Sequence, residues 1–207
     1  MNRANFFASV RTSLFGGSLS SSQVQGIEAI LDEAAKSVID PRWLAYMLAT
    51  TYHETARTMQ PVIETRQPDE ATNPTVDKAI ARLESSWAKG RMPWVKSAYW
   101  RKDAQGKSWL GRGLVQLTHK ANYERMGPIV GADLVGNPDL AMRDDVAVKI
   151  MFEGMARGLF TGKKLGDYFT AQSSDWVSAR KIINGLDRAN DVAGYAKRFH
   201  EALQAAA

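Results

Sequence analysis

The chain of 207 residues contains no cysteine and only three histidines, His53, His119 and His200. Without cysteine the fold can contain no disulfide bond, so it is indifferent to the redox state of its compartment. Zinc sites are built mainly from cysteine and histidine, and the three histidines lie far apart in the sequence. We therefore expect no metal site and no cofactor.

Long apolar runs are also missing, and no uncharged stretch is long enough to span a bilayer. Residues 1–7 lack the sustained hydrophobic region of a secretory signal, so we expect synthesis and folding in the cytoplasm without a signal peptide. The chain has 44% hydrophobic and 24% charged residues and no internal repeat. We expect one domain over residues 1–207, with residues 1–22 as a lead-in packed on it, and a monomer.

The patterns that are present are mostly helical, and the fold class we predict is mainly α with little strand. Residues 91–120 form a long irregular segment, and loops of that length in a compact domain are often functional. The closing helix has basic residues on its polar side, but ordinary core packing is the better interpretation than membrane contact. The predicted helices run from Ser20, Ser21 or Ser22 to about Lys36, Arg42 to about Thr55, Thr75 to Gly90, Asp144 to about Gly162, Ser174 to Ile183, and Ala189 to about Gln204.

Glu54 lies near the end of the second predicted helix, which begins with Asp40 as N-cap and Pro41 at the first helical position. Met47, Thr50 and Glu54 recur at helical spacing, so Glu54 extends a largely apolar face. A half-buried carboxylate there must either have a raised pKa or meet a cation that keeps it ionised. Helix position alone favours a structural, salt-bridged glutamate over a catalytic acid.

His53 and Glu54 together also suggest a zinc-protease helix, in which a second histidine follows four residues after the first. That position is Arg57, which excludes this interpretation. His53 is then an orienting or hydrogen-bonding residue, or simply a packed one.

Two further segments carry candidate polar residues. Glu64 follows Glu54 by ten residues in a predicted loop, where an ordinary solvated glutamate is the alternative interpretation. Gly111-Arg112-Gly113 is followed by an apolar and polar alternation that predicts a short extended segment presenting Gln116 and Thr118 together. The segment lacks the lysine spacing of a phosphate-binding loop.

The net charge of +5 is concentrated in residues 89–125, which contain nine lysines and arginines but only two acidic residues, Asp103 and Glu124. Such a segment would attract an acidic glycan polymer. Nucleic acid is the rival partner, because aromatic rings between basic residues can stack on bases. A third interpretation is solvated lysines over packed tryptophans. The aromatic residues concerned are Trp94, Tyr99, Trp100 and Trp109.

Five short motifs follow one another over residues 40–200. They are His53-Glu54-Thr55, Gly111-Arg112-Gly113 with Gln116-Leu117-Thr118, Asn122-Tyr123, Asn137-Pro138-Asp139-Leu140 and Ile182-Ile183-Asn184-Gly185. Taken in this order, the motifs resemble glycoside hydrolase family 19 of the lysozyme-like superfamily. The short interval between the two glutamates and the compact length are more similar to the bacteriophage endolysin branch than to plant chitinases. The resemblance implies a lysozyme-like α-helical domain with an irregular cleft segment.

By the same resemblance, Glu54 is the general acid, Glu64 the general base, and Thr118 helps to hold the attacking water. Asp187 stands near a position where the family keeps an acidic residue. The family usually has tyrosine where this chain has Trp109. The candidate substrate-binding residues are Gln116, Asn122, Asn184, His53, Arg112, Trp109 and Tyr123.

The function we predict is hydrolysis of β-1,4 bonds in bacterial peptidoglycan, between N-acetylmuramic acid and N-acetylglucosamine, with inversion. The nearest alternative is a chitinase, and non-catalytic glycan binding or nucleic-acid binding are alternatives of a different class. The resemblance implies accumulation in the host cytoplasm, then release to the periplasmic wall by a holin-type, membrane-permeabilising partner. We expect no nucleic-acid partner and no stable membrane insertion.

Overall fold

The computed structural model describes residues 1–37 and 39–207. About 52% of the residues are helical, which agrees with the predicted mainly α, lysozyme-like class. The strands β1, Val62–Ile63, and β2, Arg112–Gly113, have two residues each. The α-helices of the described chain are α1 Arg3–Ser13, α2 Ser21–Ala34, α3 Pro41–Glu54, α4 Val76–Ala88, α5 Lys120–Val130, α6 Asp144–Arg157 and α7 Ala189–Ala205.

The chain divides into two compact units. Unit 1 comprises Met1–Gln60 and Val148–Ala207, and unit 2 comprises Pro61–Ala147. The division falls inside α6. Whether residues 1–207 form one domain stays a prediction, because a division by packing does not test whether either part folds alone.

Unit 1 is built around α3, which is buried from Leu44 to Tyr52. A helix that is apolar on nearly every side belongs in a core. It packs mainly against α7, and α1 of the lead-in also packs on α7. The Tyr52 hydroxyl donates to the carbonyl of Leu14 at 2.6 Å, and its ring meets Tyr195 edge-on with centroids 4.8 Å apart.

The turn after α3 is held by Thr55, whose side chain is fully buried. Its hydroxyl donates to the Thr51 carbonyl at 2.7 Å and accepts from the Met59 amide at 3.0 Å. The turn lies so close to α2 that a Cβ added to Gly26 would be 1.8 Å from the Met59 carbonyl oxygen. The path of the chain after Glu54 therefore depends on glycine at this position.

Unit 2 contains the antiparallel pair β1 and β2, with Val62 opposite Gly113 and Ile63 opposite Arg112. Apart from β2, residues 91–119 have no helix or strand of two or more residues, so the long irregular segment is confirmed. The segment is not loose, because its buried side chains join those of α4 in one core cluster. The cluster consists of Ala79, Leu83, Trp100 and Leu110.

The predicted helices over α2, α3, α4 and α7 are confirmed to within two residues at each end. Helix α6 ends at Arg157, earlier than predicted, because Gly158 takes a left-handed φ of +74°. No helix of the described chain is long and apolar enough to cross a membrane.

The predicted helix from Ser174 to Ile183 is wrong. Only Ser178–Ile182 form a short 3₁₀ helix. The Ser174 hydroxyl accepts from Arg42 at 2.9 Å instead of capping a helix, and Asp175 accepts from the Ser178 amide. Helices α1 and α5 were not predicted; α5 has no side-chain cap and contains Pro128, so its helix signals are weak.

Candidate active site

Glu54 is the last residue of α3, and its side chain is 17% exposed. Its Oε1 accepts a hydrogen bond from Nη1 of Arg180 at 2.6 Å. The Arg180 side chain is 3% exposed, and its Nε donates to the Asp187 carbonyl at 3.0 Å. Of the two alternatives for a half-buried Glu54, a raised pKa or contact with a cation, the structure shows contact with a cation, Arg180.

Arg180 was missed by sequence reasoning. It comes from the 3₁₀ helix Ser178–Ile182, 126 residues after Glu54. The one signal was an arginine just before the Ile-Ile-Asn-Gly stretch, and a single arginine in an uncertain helix does not identify its partner.

Three other predicted residues lie around this ion pair. His53 is half-buried, and burial lowers its pKa below the usual value, with the Glu54 charge opposing and Arg180 adding to the shift. Its imidazole is therefore neutral at pH 7. Asn184 is exposed, and its backbone N–H donates to the Arg180 carbonyl at 3.0 Å. Asp187 is exposed and binds Arg180 through its backbone, not its carboxylate.

Glu64 comes directly after β1 and is half-buried in unit 2. Its Oε2 accepts from the Gly111 amide at 2.7 Å, and its Oε1 accepts from the Tyr99 hydroxyl at 2.6 Å. Burial and then the Glu64 charge raise the pKa of Tyr99 well above its usual value, so Tyr99 remains a neutral donor. Both carboxylate oxygens are thus held as acceptors.

Gly111 lies between the side chains of Glu64 and Gln116. A Cβ at this position would lie 2.7 Å from Oε1 of Gln116 and 3.3 Å from Oε2 of Glu64. The Gln116 amide donates from Nε2 to the Val62 carbonyl at 3.0 Å. A side chain here would displace the end of the Gln116 side chain, so glycine leaves the space in which two predicted site residues approach the same backbone.

The predicted extended segment after Gly113 is wrong in its conformation. Arg112 and Leu117 exchange backbone hydrogen bonds of 3.2 and 2.9 Å, which close residues 113–116 into a tight turn. Gln116 has a left-handed φ of +55° in this turn. The alternation in sequence matched a strand, but the local hydrogen bonds favour a hairpin.

Thr118 and Asn122 lie at the start of α5. The Asn122 side chain donates from Nδ2 to the Thr118 carbonyl at 2.8 Å. The Thr118 side chain is half-buried, and its hydroxyl has no hydrogen bond to any group in residues 1–37 or 39–207. That hydroxyl is available to water or substrate.

Arg112, Trp109 and Tyr123 are buried and bonded to protein groups. Arg112 donates to the Ser108 carbonyl at 2.9 Å and to Oδ1 of Asp139 at 2.8 Å. The Tyr123 hydroxyl donates to the Leu110 carbonyl, and the Trp109 indole donates to Asp103. Their predicted contact with substrate remains untested, and their placement gives them a supporting role around residues 108–113.

The excess of basic residues in 89–125 is partly neutralised. Arg101 pairs with Glu84 at 2.7 Å, and Lys102 pairs with Asp77 at 2.5 Å. Arg112 pairs with Asp139 as described above. Trp100 is fully buried, whereas Trp94 is 72% exposed, so the aromatic residues do not share one role.

The described residues contain no cluster of side chains that could hold a metal ion. No three histidine, aspartate or glutamate side chains come together there as a metal site. Each unit offers one carboxyl with its own hydrogen-bond partners, Glu54 in unit 1 and Glu64 in unit 2.

Known proteins match part of this chain. Residues 72–156 match the sequence model of a family described as chitinase class I. Chitinase 11 of Oryza sativa subsp. japonica is 33% identical over 113 residues, covering 44% of this chain and 44% of that protein. Acidic endochitinase Q of Nicotiana tabacum is 46% identical over 44 residues, covering 21% of this chain and 17% of its own length. Basic endochitinase of Vitis vinifera is 44% identical over 52 residues, covering 25% and 16%.

The chain spans less than half the length of these curated relatives. The segment 72–156 includes the residues around Gly111 and α5, together with Tyr99. It does not include Glu54, Glu64 or Asn184. Through this segment the chain is similar to glycoside hydrolase family 19, whose matching sequence model is described as chitinase class I.

Proposed function

We propose that the protein is an inverting glycoside hydrolase with Glu54 as general acid and Glu64 as general base. The observation that supports this most is the Glu64 carboxylate, held by the Gly111 amide and the Tyr99 hydroxyl. Both donors belong to the segment that is similar to class I chitinases. A solvated loop glutamate would not be oriented through both oxygens.

The proposed reaction has one water and two proton transfers. Glu54 protonates the glycosidic oxygen as the bond to the anomeric carbon breaks. Glu64 takes a proton from the water that attacks this carbon from the opposite face, which inverts its configuration. This chemistry requires the two carboxyls to stand about 6.5–9.5 Å apart across the scissile bond.

Other side chains have supporting parts in the proposal. Arg180 orients the carboxyl of Glu54 through Oε1. Glu54 acts as the acid in its protonated form, with the transferred proton on its other oxygen, Oε2. The hydroxyl of Thr118 helps to hold the water. Gln116, Asn122 and Asn184 hydrogen-bond the N-acetyl sugars, with His53 beside the acid.

For the polymer, we propose bacterial peptidoglycan, cut between N-acetylmuramic acid and N-acetylglucosamine. Two features support this choice: the interval of ten residues between Glu54 and Glu64, and the surplus of basic side chains in residues 89–125. A monomeric endolysin would be made in the host cytoplasm and reach the periplasmic wall through a holin-type partner. Lysis of the host cell is its proposed purpose.

A second candidate substrate is chitin, a neutral polymer of N-acetylglucosamine. It is favoured by the relatives, which are named as chitinases and endochitinases. The same two carboxyls would serve both substrates, because both contain β-1,4 bonds between N-acetylated sugars.

The test is digestion of purified Gram-negative peptidoglycan and of chitin hexasaccharide by wild type, Glu54→Gln and Glu64→Gln. Glu201→Gln, an exposed position on α7, is the matched control. New N-acetylmuramic reducing ends, found by mass spectrometry only with wild type and control, would support the muramidase. Cleavage of chitin alone would support the chitinase. If wild type cleaved neither polymer, the proposed hydrolase would be rejected. Release of the α-anomer, measured by proton NMR, tests inversion.

A further inference from the structure

Trp94 is the most exposed large aromatic side chain of the described residues, at 72%. It lies in unit 2, in the irregular chain that follows α4. An indole that remains in water is unusual, because tryptophan normally buries most of its large surface. The exposure of the Trp94 indole therefore needs a structural or functional explanation.

The backbone holds this residue outward. Helix α4 ends at Ala88, Gly90 then takes a φ of +66°, and the Arg91 amide donates back to the Ser86 carbonyl at 3.0 Å. The next residues form a turn in which the Val95 amide donates to the Met92 carbonyl at 3.0 Å. Pro93 occupies the second position of this turn, which suits its fixed φ, and Trp94 the third.

Side-chain packing fixes the same arrangement. Met92 and Val95, at the two ends of the turn, pack against the core cluster that contains Trp100 and Leu110. Because both ends are anchored, the tip cannot fold inward without removing them from the core. Pro93 and Trp94 are both exposed at the tip.

Two cations lie near Trp94 in the sequence, Arg91 three residues before it and Lys96 two residues after it. Arg91 and Lys96 are exposed, and neither forms a salt bridge within residues 1–37 and 39–207. This contrasts with Arg101 and Lys102 farther along, which are paired with Glu84 and Asp77. An exposed aromatic side chain on the same short exposed segment as two cations without salt bridges fits a ligand that has both an apolar ring face and carboxylates.

We propose that Arg91, Trp94 and Lys96 form a sugar-binding platform for an acidic glycan. The indole stacks on the apolar face of a pyranose ring, and the two cations attract carboxylates of the peptide stems. The proposal rests on the proposed function and deepens it, since it separates peptidoglycan, which has these carboxylates, from neutral chitin. The platform is a binding surface and takes no part in bond breaking.

The test measures binding without turnover. Insoluble peptidoglycan and insoluble chitin are each incubated with Glu54→Gln protein, alone or combined with Trp94→Ala, Trp94→Phe or Arg91→Gln/Lys96→Gln. Lys163→Gln/Lys197→Gln, two exposed lysines of unit 1, is the control with the same loss of charge. Trp94 and the two cations are exposed, so these variants should keep the parent melting temperature.

We expect Trp94→Ala to weaken binding to both polymers by about tenfold, with Trp94→Phe in between. Arg91→Gln/Lys96→Gln should weaken binding to peptidoglycan only, and its effect should shrink as salt rises. Unchanged binding by Trp94→Ala would overturn the platform. If Arg91→Gln/Lys96→Gln and the control Lys163→Gln/Lys197→Gln weakened binding to peptidoglycan equally, the role of the two cations would be overturned.

The outcome is separable from that of the proposed function. Binding is read with a protein that lacks the proposed acid, so a failure of hydrolysis does not affect it. Tighter binding of a single-stranded oligonucleotide than of either glycan, lost in the same variants, would also overturn the proposal.

Discussion

Arg180 and Glu54 illustrate how one long-range contact sets the environment of a residue. A buried guanidinium and a carboxylate with 17% exposure tolerate loss of water only because each is paired with the other. Removing one partner leaves the other charge uncompensated. The same contact also fixes the direction of the Glu54 side chain at the end of α3.

Arg180→Met should therefore lower the free energy of unfolding by about 3 kcal/mol. Urea denaturation measures this, and Arg157→Met, which breaks the exposed pair with Glu153, should change it by less than about 0.5 kcal/mol. Adding Glu54→Gln to Arg180→Met should recover part of the loss, as a double-mutant cycle would show. Strict additivity would contradict the pairing.

Tyr99→Phe removes one donor to Glu64 and keeps the aromatic ring. Loss of one hydrogen bond to a charged group should lower kcat by about tenfold, with little change in KM. Steady-state kinetics on the polymer that wild type cleaves would measure this, with Tyr168→Phe, a half-buried tyrosine of unit 1, as control. A rise in KM with kcat unchanged would instead mean that Tyr99 acts through substrate binding.

His53 predicts a pH dependence of stability. Burial lowers its pKa in the folded protein below the usual value of 6.5. As pH falls below about 6.5, the unfolded chain takes up a proton that folded His53 resists, so this residue favours unfolding there. His53→Gln should lose less stability than wild type between pH 7.5 and 5 in urea titrations. The exposed His119→Gln serves as the control.

At the scale of elements, close approaches matter as much as helix signals. Helix α2 passes within contact distance of the turn after α3, and Gly26 is the residue that permits it. Helix α7 also contains a glycine, Gly194, but a Cβ there would meet nothing within 4 Å. Both glycines lie inside α-helices, but only Gly26 has another part of the backbone close to it.

Gly26→Ala should therefore destabilise the protein by about 2 kcal/mol, because the Met59 carbonyl would have to move. Gly194→Ala should instead stabilise it by about 0.5–1 kcal/mol through lower chain entropy in the unfolded state. Thermal unfolding of the two variants, compared with wild type, would show shifts in opposite directions. Shifts of the same sign would contradict the close contact at Gly26.

Element boundaries show where local signals were sufficient. Ser20 and Thr75 cap α2 and α4 with their own side chains, as predicted from sequence. Ser174 looked equivalent, but its hydroxyl is bound by Arg42, 132 residues away. A capping residue predicts a helix only when no distant partner takes its oxygen.

For the whole molecule, stability must come from packing and hydrogen bonding. The chain has no cysteine, and its described part has no cluster of metal ligands. Mainly α structure with local contacts within each unit is consistent with such a chain. Whole-molecule stability should accordingly be insensitive to reagents that act on disulfides and metals.

Neither dithiothreitol nor EDTA should change the melting temperature or the hydrolytic rate. Calorimetry and a polymer-degradation assay, each with and without either reagent at about a hundredfold excess over protein, would measure this. A fall with EDTA that zinc or calcium restores would show a metal requirement and contradict the expectation.

The sequence by itself determined the mainly α class, four helices with their boundaries, and the glycine positions around residue 111. These features follow from local periodicity, caps and backbone preferences, which a single chain segment contains. The resemblance of the sequence to glycoside hydrolase family 19 also indicated Glu54 and Glu64 as candidates. Only the tertiary structure decided their partners, Arg180 for the first and Tyr99 for the second. It also decided that Arg112 is buried and Trp94 exposed, because burial and ion pairing depend on residues far away in the chain.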